Sequence, residues 1–237
     1  MRIGIDISQT VYGTGVSVYT KELVRALLKL DHENEYVLFG GYLRRKKDLF
    51  SFTSSLTGRF VSKLVLFPPA LADLVWNRLH TLNFERFTGP IDVYHSSDWA
   101  QAPSKAFNVT TVHDLAPFKF PKLTPKSVVS THTARFKRLA QEIDRVIVPS
   151  EATKKDLVEI GMDEGKIRVI YEAPGDTFKP QSQEVVSGLL KKFKVSGDYL
   201  LAVGVGGRKN TARWVKAVER ARAGKTLNLI LGGTGGE

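Results

Sequence analysis

Short apolar runs alternate with longer amphipathic segments along the first 171 residues. The short runs predict strands, and the segments between them carry apolar residues every three or four positions, which predicts helices. This alternation is typical of βαβ units that feed a parallel sheet. The predicted strands cover residues 3–7, 36–39, 60–67, 93–95, 109–112, 145–148 and 167–171. The predicted helices cover residues 16–30, 70–87, 125–144 and 151–160.

The pattern starts again after a stretch with several prolines and glycines. Residues 174–197 predict an interdomain linker with a short helix near Lys191. Beyond it come a strand at 199–203, a glycine-rich turn, a helix at 211–223 and a strand at 227–231. About 40 residues are too few for an independent core. We therefore predict an α/β protein: a Rossmann-like parallel sheet domain over 1–173 with helices on both faces, followed by an incomplete second Rossmann-like domain over 198–237.

Composition excludes several classes of protein. With 42% hydrophobic residues the chain can bury a core, and without cysteine it has neither a disulfide framework nor a thiolate site. Residues 1–6 are typical of a strand rather than a signal peptide. The longest apolar stretch, residues 61–76, contains charges and two prolines and cannot supply the ~20 apolar residues of a spanning helix. We expect a cytoplasmic protein, either free or peripheral at the inner face of the membrane.

The net charge of +11 suits nucleic acid, an anionic bilayer or a phosphorylated small molecule. Nucleic acid is not expected, because the aromatic residues follow core periodicity and no recognition element is present. The run Arg44–Lys47 is either a solvated loop or a contact with anionic membrane or phosphate.

Glycine turns between strand and helix can bring backbone N–H groups close to a phosphate. Gly13 and Gly15 flank one such turn, and residues 204–207 form another, followed by Arg208 and Lys209. Two cations at the start of a helix favour a bound anion such as a diphosphate. The alternative is that a tight turn simply requires glycine and that the cations are solvated. A third glycine turn, residues 232–236, has no helix after it.

Polar residues follow two neighbouring predicted strands. His95 ends one, and His113 and Asp114 follow the next, at the carboxyl ends where open parallel sheets bind ligands. An imidazole there can exchange a hydrogen bond with a ligand hydroxyl, and the alternative is a structural histidine bonded to the backbone. Ser150 is the predicted N-cap of the helix at 151–160. No H-E-x-x-H run, cysteine pair or acidic cluster is present, so no metal is expected.

These pieces together have a specific order and spacing. They are Arg2-Ile3-Gly4-Ile5-Asp6, Gly13-Thr14-Gly15 with Tyr19-Thr20, residues 34–39, Asp92-Val93-Tyr94-His95-Ser96, Thr111-Val112-His113-Asp114-Leu115, residues 148–153, and Leu201-Ala202-Val203-Gly204 with Arg208-Lys209-Asn210. Over nearly its whole length the chain resembles the family 4 glycosyltransferases of the GT-B fold, which are retaining enzymes that use nucleotide sugars.

The resemblance implies roles for these residues. Gly13 and Gly15 match the loop near the donor phosphates and the acceptor, and His113 matches the histidine that faces the transferred sugar. Lys209 matches the lysine that binds the donor diphosphate, and Arg208 beside it is a further candidate for the same phosphates. Ser150 matches the cap of a helix that borders the cleft. We take His95, Asp114 and Ser150 as candidate substrate-binding residues and His113 as the candidate catalytic residue.

The implied reaction moves a sugar from a nucleotide-diphosphate donor to a saccharide or lipid-linked acceptor with retention, in cell-envelope or exopolysaccharide synthesis. No covalently bound cofactor is expected. Two departures from the family pattern bear on this expectation. Val16-Ser17-Val18-Tyr19 lacks the usual glycine and arginine of the first loop, and the carboxylate pair of the family's second domain would lie beyond Glu237. The alternative is a non-catalytic acceptor-side half that needs a separate donor-domain chain.

Overall fold

The structure is a computed structural model that describes residues 1–175, 178–204, 209–222 and 227–232. The chain divides into two compact units, residues 1–173 and residues 174–237. Each unit is described by itself.

The first unit is built on one sheet of seven parallel strands. The strands are β1 (Arg2–Asp6), β2 (Glu35–Tyr42), β3 (Phe60–Leu66), β4 (Val93–Ser96), β5 (Phe107–Thr111), β6 (Arg145–Val148) and β7 (Ile167–Val169). Their order in the sheet is β3-β2-β1-β4-β5-β6-β7. The chain runs outward from β1 to β3 and then returns to place β4 on the other side of β1. The carboxyl ends of β1 and β4 therefore flank a topological switch point, where such sheets form ligand crevices.

Helices connect these strands. They are α1 (Gly15–Leu30), α2 (Lys46–Ser54), α3 (Pro69–Ala72), α4 (Glu85–Thr88), α5 (Ala116–Lys119), α6 (Lys126–Glu142) and α7 (Glu151–Glu159). Short 3₁₀ turns cover Ser8–Val11, Pro121–Leu123 and Glu164–Lys166, and a π-helix over Asp73–Arg78 continues α3. Among the helices of the described residues, none is both long enough and apolar enough to cross a membrane.

Apolar residues are buried on both faces of the sheet. Neighbouring residues of β2 point to opposite faces, as the pleat of a strand requires. Leu38 belongs to a cluster under α1 and α2, whereas Phe39 belongs to an aromatic cluster with Trp76 and Phe84. A third cluster packs α6 and α7 against β6 and includes Leu139. These clusters confirm the prediction of a parallel sheet with helices on both faces.

The predicted helix over 70–87 is wrong in its middle. The α-helix gives way to π geometry after Ala72, with the amide of Leu79 donating to Leu74 O at 2.9 Å. His80 and Leu82 then take positive φ angles of 54° and 66°. The reason is tertiary: Trp76 is buried and its Nε1 donates to Leu82 O at 3.0 Å, so the chain turns back over the indole. The helix resumes only at Glu85.

The interpretation of Arg44–Lys47 as a loop is wrong for Lys46 and Lys47. Lys46 and Lys47 begin α2, a helix that the hydrophobic pattern did not single out. Leu49 and Phe52, three residues apart, are the buried residues that hold α2 against the sheet.

The second unit contains α8 (Gln183–Lys192), β8 (Asp198–Val203), α9 (Thr211–Ala221) and β9 (Leu227–Gly232). Strands β8 and β9 pair in parallel, so this unit forms a strand–helix–strand arrangement. Val218 of α9 is its buried apolar residue among those described. The predicted glycine turn at 204–207 lies outside the described residues except for Gly204, and the glycine turn at 232–236 lies outside them except for Gly232.

Candidate functional site

A small cavity lies at the switch point of the first sheet, at the carboxyl ends of β1, β4 and β5. Its volume of about 10 Å³ is close to what one water molecule requires. Most of its lining residues have polar side chains, and α1 forms one wall. Its lining consists of Ile5, Asp6, Gln9, Tyr19, Thr20, Leu23, His95, Ser96, Asp98, Thr111 and His113. The two histidines predicted from sequence are thus brought together.

His113, which lines the cavity, contacts a carboxylate through one ring nitrogen, and its other ring nitrogen has no partner among the described residues. Its Nδ1 lies 2.9 Å from Glu172 Oε1. Its Nε2 is buried and has no hydrogen-bond partner among the described residues. The ring stands edge-on to Tyr19, with 4.6 Å between the ring centroids. An unoccupied imidazole nitrogen in a polar cavity is suited to a hydroxyl group of a ligand.

His95 lies deeper and is engaged in a hydrogen-bond chain. Its Nε2 is 3.0 Å from Thr111 Oγ1, which in turn is 3.1 Å from Tyr19 Oη. Burial lowers the pKa of His95 to about 4, and the nearby His113 and Arg135 add to this effect. His95 is therefore a neutral imidazole at neutral pH and can donate or accept only one hydrogen bond through each nitrogen.

The loop after β1 is tied to the loop after β4 through Gln9. Its side-chain Nε2 donates to Thr20 Oγ1 at 2.7 Å, and its Oε1 accepts from the amide of Asp98 at 2.8 Å. The cavity walls are therefore joined by side chains that no short motif identifies.

Asp98, which lines the cavity, and Arg135, which pairs with it, were not predicted from the sequence. Arg135, on α6, is fully buried, donates from Nη2 to Thr110 Oγ1 at 2.6 Å, and lies 3.8 Å from Asp98 Oδ1. Burial lowers the pKa of its guanidinium, and the Asp98 carboxylate opposes that shift. A signal was present: Arg135 stands four residues before the buried Leu139, on the core-facing side of α6.

The Gly13–Gly15 turn is open to solvent at the start of α1. Gly13 has a φ of +68°, and a Cβ on either glycine would meet nothing within 4 Å. Thr14 and Ser17 form a reciprocal cap, in which Ser17 N donates to Thr14 Oγ1 at 3.2 Å and Thr14 N donates to Ser17 Oγ at 3.3 Å. The Ser17 amide is thus occupied by the protein's own side chain.

Ser150 caps α7 as predicted, since its Oγ accepts from the amide of Thr153 at 3.1 Å. Thr153 Oγ1 in turn donates to the backbone carbonyl of His113 at 3.3 Å. The start of α7 therefore supports the loop that carries His113. Asp114 turns into that loop, where its Oδ1 accepts from Ala116 N at 2.9 Å, and it is not among the residues that line the cavity.

In the second unit, Lys209 is exposed just before α9. Its Cε lies 3.6 Å from where a Cβ on Gly204 would stand, an ordinary van der Waals distance, so glycine is favoured at 204 by its φ of +84° rather than by space for the lysine. Arg208 lies outside the described residues. Within the described parts of both units, no group of three or more potential ligand side chains is placed to hold a metal ion.

The parallel sheet, with a cavity at its switch point, is an α/β fold of the doubly wound type, in which ligand crevices form at that position. Residues 13–173 match the model of Glycosyltransferase Family 4, which is more than half of the chain. The chain belongs to glycosyltransferase family 4, a family of transferases. This confirms the resemblance stated from the motifs.

Crystal structures of Anabaena Alr3699/HepE have a similar fold. The complex with UDP-glucose has a TM-score of 0.56 at 12% identity, covering 99% of this chain and 70% of that one. The complex with UDP and glucose has a TM-score of 0.54 at 13% identity with the same coverage. The complex with UDP alone has a TM-score of 0.54 at 12% identity, covering 97% and 68%. These likenesses show that the fold is that of a GT-B glycosyltransferase. No curated protein sequence matches the chain significantly.

Proposed function

We propose that this chain transfers a sugar with retention from a nucleotide-diphosphate donor to a saccharide or lipid-linked acceptor. The observation that carries the proposal is His113, whose buried Nε2 is unoccupied at the switch point of the family 4 region. The fold shared with a protein crystallised with UDP-glucose supports a nucleotide sugar as donor.

In this proposal the two units supply different parts of the chemistry. His113, His95, Asp114 and Ser150 belong to the unit that receives sugar hydroxyls. Lys209, with Arg208, supplies positive charge for the departing diphosphate, where charge develops in the transition state. The turn of Gly13 and Gly15 contributes backbone N–H groups at the start of α1. The Ser17 amide is not among them, because it already donates to Thr14. No metal takes part in this scheme.

The test is ligand-dependent stability of the whole chain. A ligand that binds the native state raises the melting temperature, by an amount set by its concentration over Kd. Titration with UDP, UDP-glucose and a panel of other nucleotide sugars should raise it for at least one of them. Lys209→Ala should abolish the rise, and Lys155→Ala, an exposed lysine of α7, should leave it intact. No rise with any nucleotide sugar would contradict the proposal for the chain on its own.

A split enzyme is the second candidate, in which this chain is an acceptor-side half served by a separate donor-domain chain. The described strands of the second unit favour it, because β8 leaves apolar side chains open to solvent, Val203 being 71% exposed. Large exposed apolar surfaces commonly mark sites of association. Under this candidate the melting temperature responds to nucleotide sugar only after a donor-domain chain has been added.

We also propose a peripheral contact with anionic membrane, which would serve a lipid-linked acceptor at the inner membrane face. The run Arg44–Lys47 lies between Leu43 and Phe50, which are 55% and 63% exposed. The neighbouring β3 ends at Leu66, opposite Tyr42 in the β2–β3 register, and is also exposed. Basic and apolar side chains at one sheet edge suit an anionic interface.

Co-sedimentation with phosphatidylcholine vesicles, with and without phosphatidylglycerol, tests this contact. Binding should require the anionic lipid and should weaken in a variant that combines Arg44→Glu with Lys47→Glu. Arg59→Glu, which changes an exposed arginine at the opposite end of β3, is the matched control. Equal binding to both vesicle types would contradict the contact.

A further inference from the structure

Among the described residues, Glu172 is the one that forms a hydrogen bond with the side chain of His113. It follows β7 and lies 59 residues beyond His113 in the chain. Its Oε1 is 2.9 Å from Nδ1, whereas the side chain as a whole is 44% exposed. The His113 side chain is only 15% exposed, so its ring is far more enclosed than its partner.

This contact determines which ring nitrogen carries the proton. An ionised carboxylate only accepts hydrogen bonds, so the hydrogen must be on Nδ1 for the contact to form. In the neutral ring Nε2 then carries a lone pair, because the bond made by one nitrogen sets the state of the other. The buried Nε2 of His113, which has no partner among the described residues, is therefore a hydrogen-bond acceptor. A ligand group that bonds to it must be a hydrogen-bond donor.

The rest of the surroundings restricts rotation of the ring without competing for Nε2. Tyr19 packs edge-on against it, and the Tyr19 hydroxyl is engaged with Thr111 Oγ1 rather than with His113. The backbone of His113 is anchored by Thr153 at the start of α7. The ring orientation is thus set by packing, and the proton position is set by Glu172.

We propose that Glu172 is a positioning residue that holds His113 in the Nδ1–H tautomer, so that Nε2 accepts a hydrogen bond from a hydroxyl group of the bound sugar. The part of this statement that concerns the sugar rests on the proposed function, and the part that concerns the tautomer does not. It follows that a sugar in which this hydroxyl group is replaced by hydrogen or by a methoxy group loses the hydrogen bond to Nε2.

The tautomer can be measured directly by ¹⁵N NMR of the full chain labelled at histidine. The chain has five histidines, and the His113 signals are assigned by their loss in His113→Asn. At mildly alkaline pH the wild-type ring should show a protonated Nδ1 and an unprotonated Nε2. Glu172→Ala should lose this pattern, whereas Glu172→Gln, whose amide oxygen still accepts a hydrogen bond, should keep it.

Glu164→Ala is the matched control. It removes an exposed carboxylate whose ion-pair partner is Lys154, at 2.8 Å, rather than His113. It should leave the His113 spectrum unchanged. A protonated Nε2 in the wild type, or an Nδ1–H pattern that persists in folded Glu172→Ala, would overturn the proposal. The wild-type measurement decides the matter even if Glu172→Ala does not fold.

The catalytic consequence is measured separately. Where transfer is detectable, Glu172→Ala should lower kcat/KM at least ~10-fold, by analogy with the loss found when the carboxylate that orients a metal-ligating histidine is removed. Glu172→Gln should retain most of the activity. If the NMR pattern holds but no nucleotide sugar binds, the proposed function fails while the pairing stands. If nucleotide sugars bind but the NMR pattern is absent, the proposed function stands and the pairing of Glu172 with His113 fails.

Discussion

Asp6, at the end of β1, offers a sharp test of how the cavity is built. Its Oδ1 accepts hydrogen bonds from Ser8 N at 2.9 Å and from Ser8 Oγ at 2.5 Å. Burial nevertheless raises the pKa of this carboxyl above 3.8, and the bonds from Ser8 and from the Ser97 hydroxyl only partly offset that effect. Ionised Asp6 therefore lowers the stability of the folded state.

The sign of the pH dependence follows from this shift. As pH rises above about 4, the unfolded chain loses the Asp6 proton first, so the folded state binds more protons and its stability falls until pH passes the raised pKa. The side-chain amide introduced by Asp6→Asn keeps an oxygen for both Ser8 bonds and carries no charge. The variant should gain about 1.4 kcal/mol at neutral pH for each unit by which the pKa is raised.

Asp31 provides a control of opposite sign. Hydrogen bonds from Tyr36 and Asn34 lower the pKa of its carboxyl, so its contribution is present above the ordinary pKa and is lost as pH falls through the lowered one. Asp31→Asn should therefore destabilise the protein at neutral pH, and this difference should shrink in acid.

The assay is urea or thermal unfolding of the three proteins from pH 2 to pH 8, so that it covers both the range above about 4 where Asp6 acts and the more acid range where Asp31 acts. Each kcal/mol should move the melting temperature by about 2–4 °C in a protein of this size. Asp6→Asn and wild type should converge near pH 4 and separate at pH 7. If Asp6→Asn is less stable than wild type at pH 7 but equal to it at pH 4, the raised pKa and the burial argument are refuted.

Three further outcomes are expected. Trp76→Ala, which empties a 1% exposed site in the aromatic cluster, should cost about 3–5 kcal/mol in chemical unfolding, and a loss below about 1 kcal/mol would contradict the account of the π-helix break. Thr14→Ala removes the α1 cap and should cost about 1 kcal/mol, whereas Thr57→Ala, at an exposed position outside helices and strands, should leave stability unchanged and serves as control. His95, with a pKa of about 4 against the usual 6.5, should make the fold lose up to about 3 kcal/mol as pH falls from 6.5 to 4, and His95→Gln should flatten that part of the profile.

Much of the site followed from local pattern alone. The alternation of short apolar runs and amphipathic segments indicated a parallel sheet, and in such a sheet the residues after each strand share one edge. His95 and His113 could therefore be placed at the ligand edge without knowledge of their partners. Ser150 could be identified as a cap because capping depends on residues within one helical turn.

The partners of these residues could not be found in this way. Glu172 meets His113 only because β7 and β5 end at the same edge, and Arg135 meets Asp98 because α6 packs beside the β4 loop. The break after Arg78 likewise depends on where Trp76 is buried rather than on the helical periodicity around it.

The sequence by itself thus determined the class of fold, the edge that carries the site and the identity of its histidines, because hydrophobic period, capping and turn chemistry act over a few residues. The tertiary structure decided the lowered pKa of His95, the carboxylate that His113 contacts, the burial of the Arg135 guanidinium and the turn over the indole. Each of these depends on contacts between residues tens of positions apart, or on what a side chain is buried against, and hydrophobic periodicity does not encode such contacts.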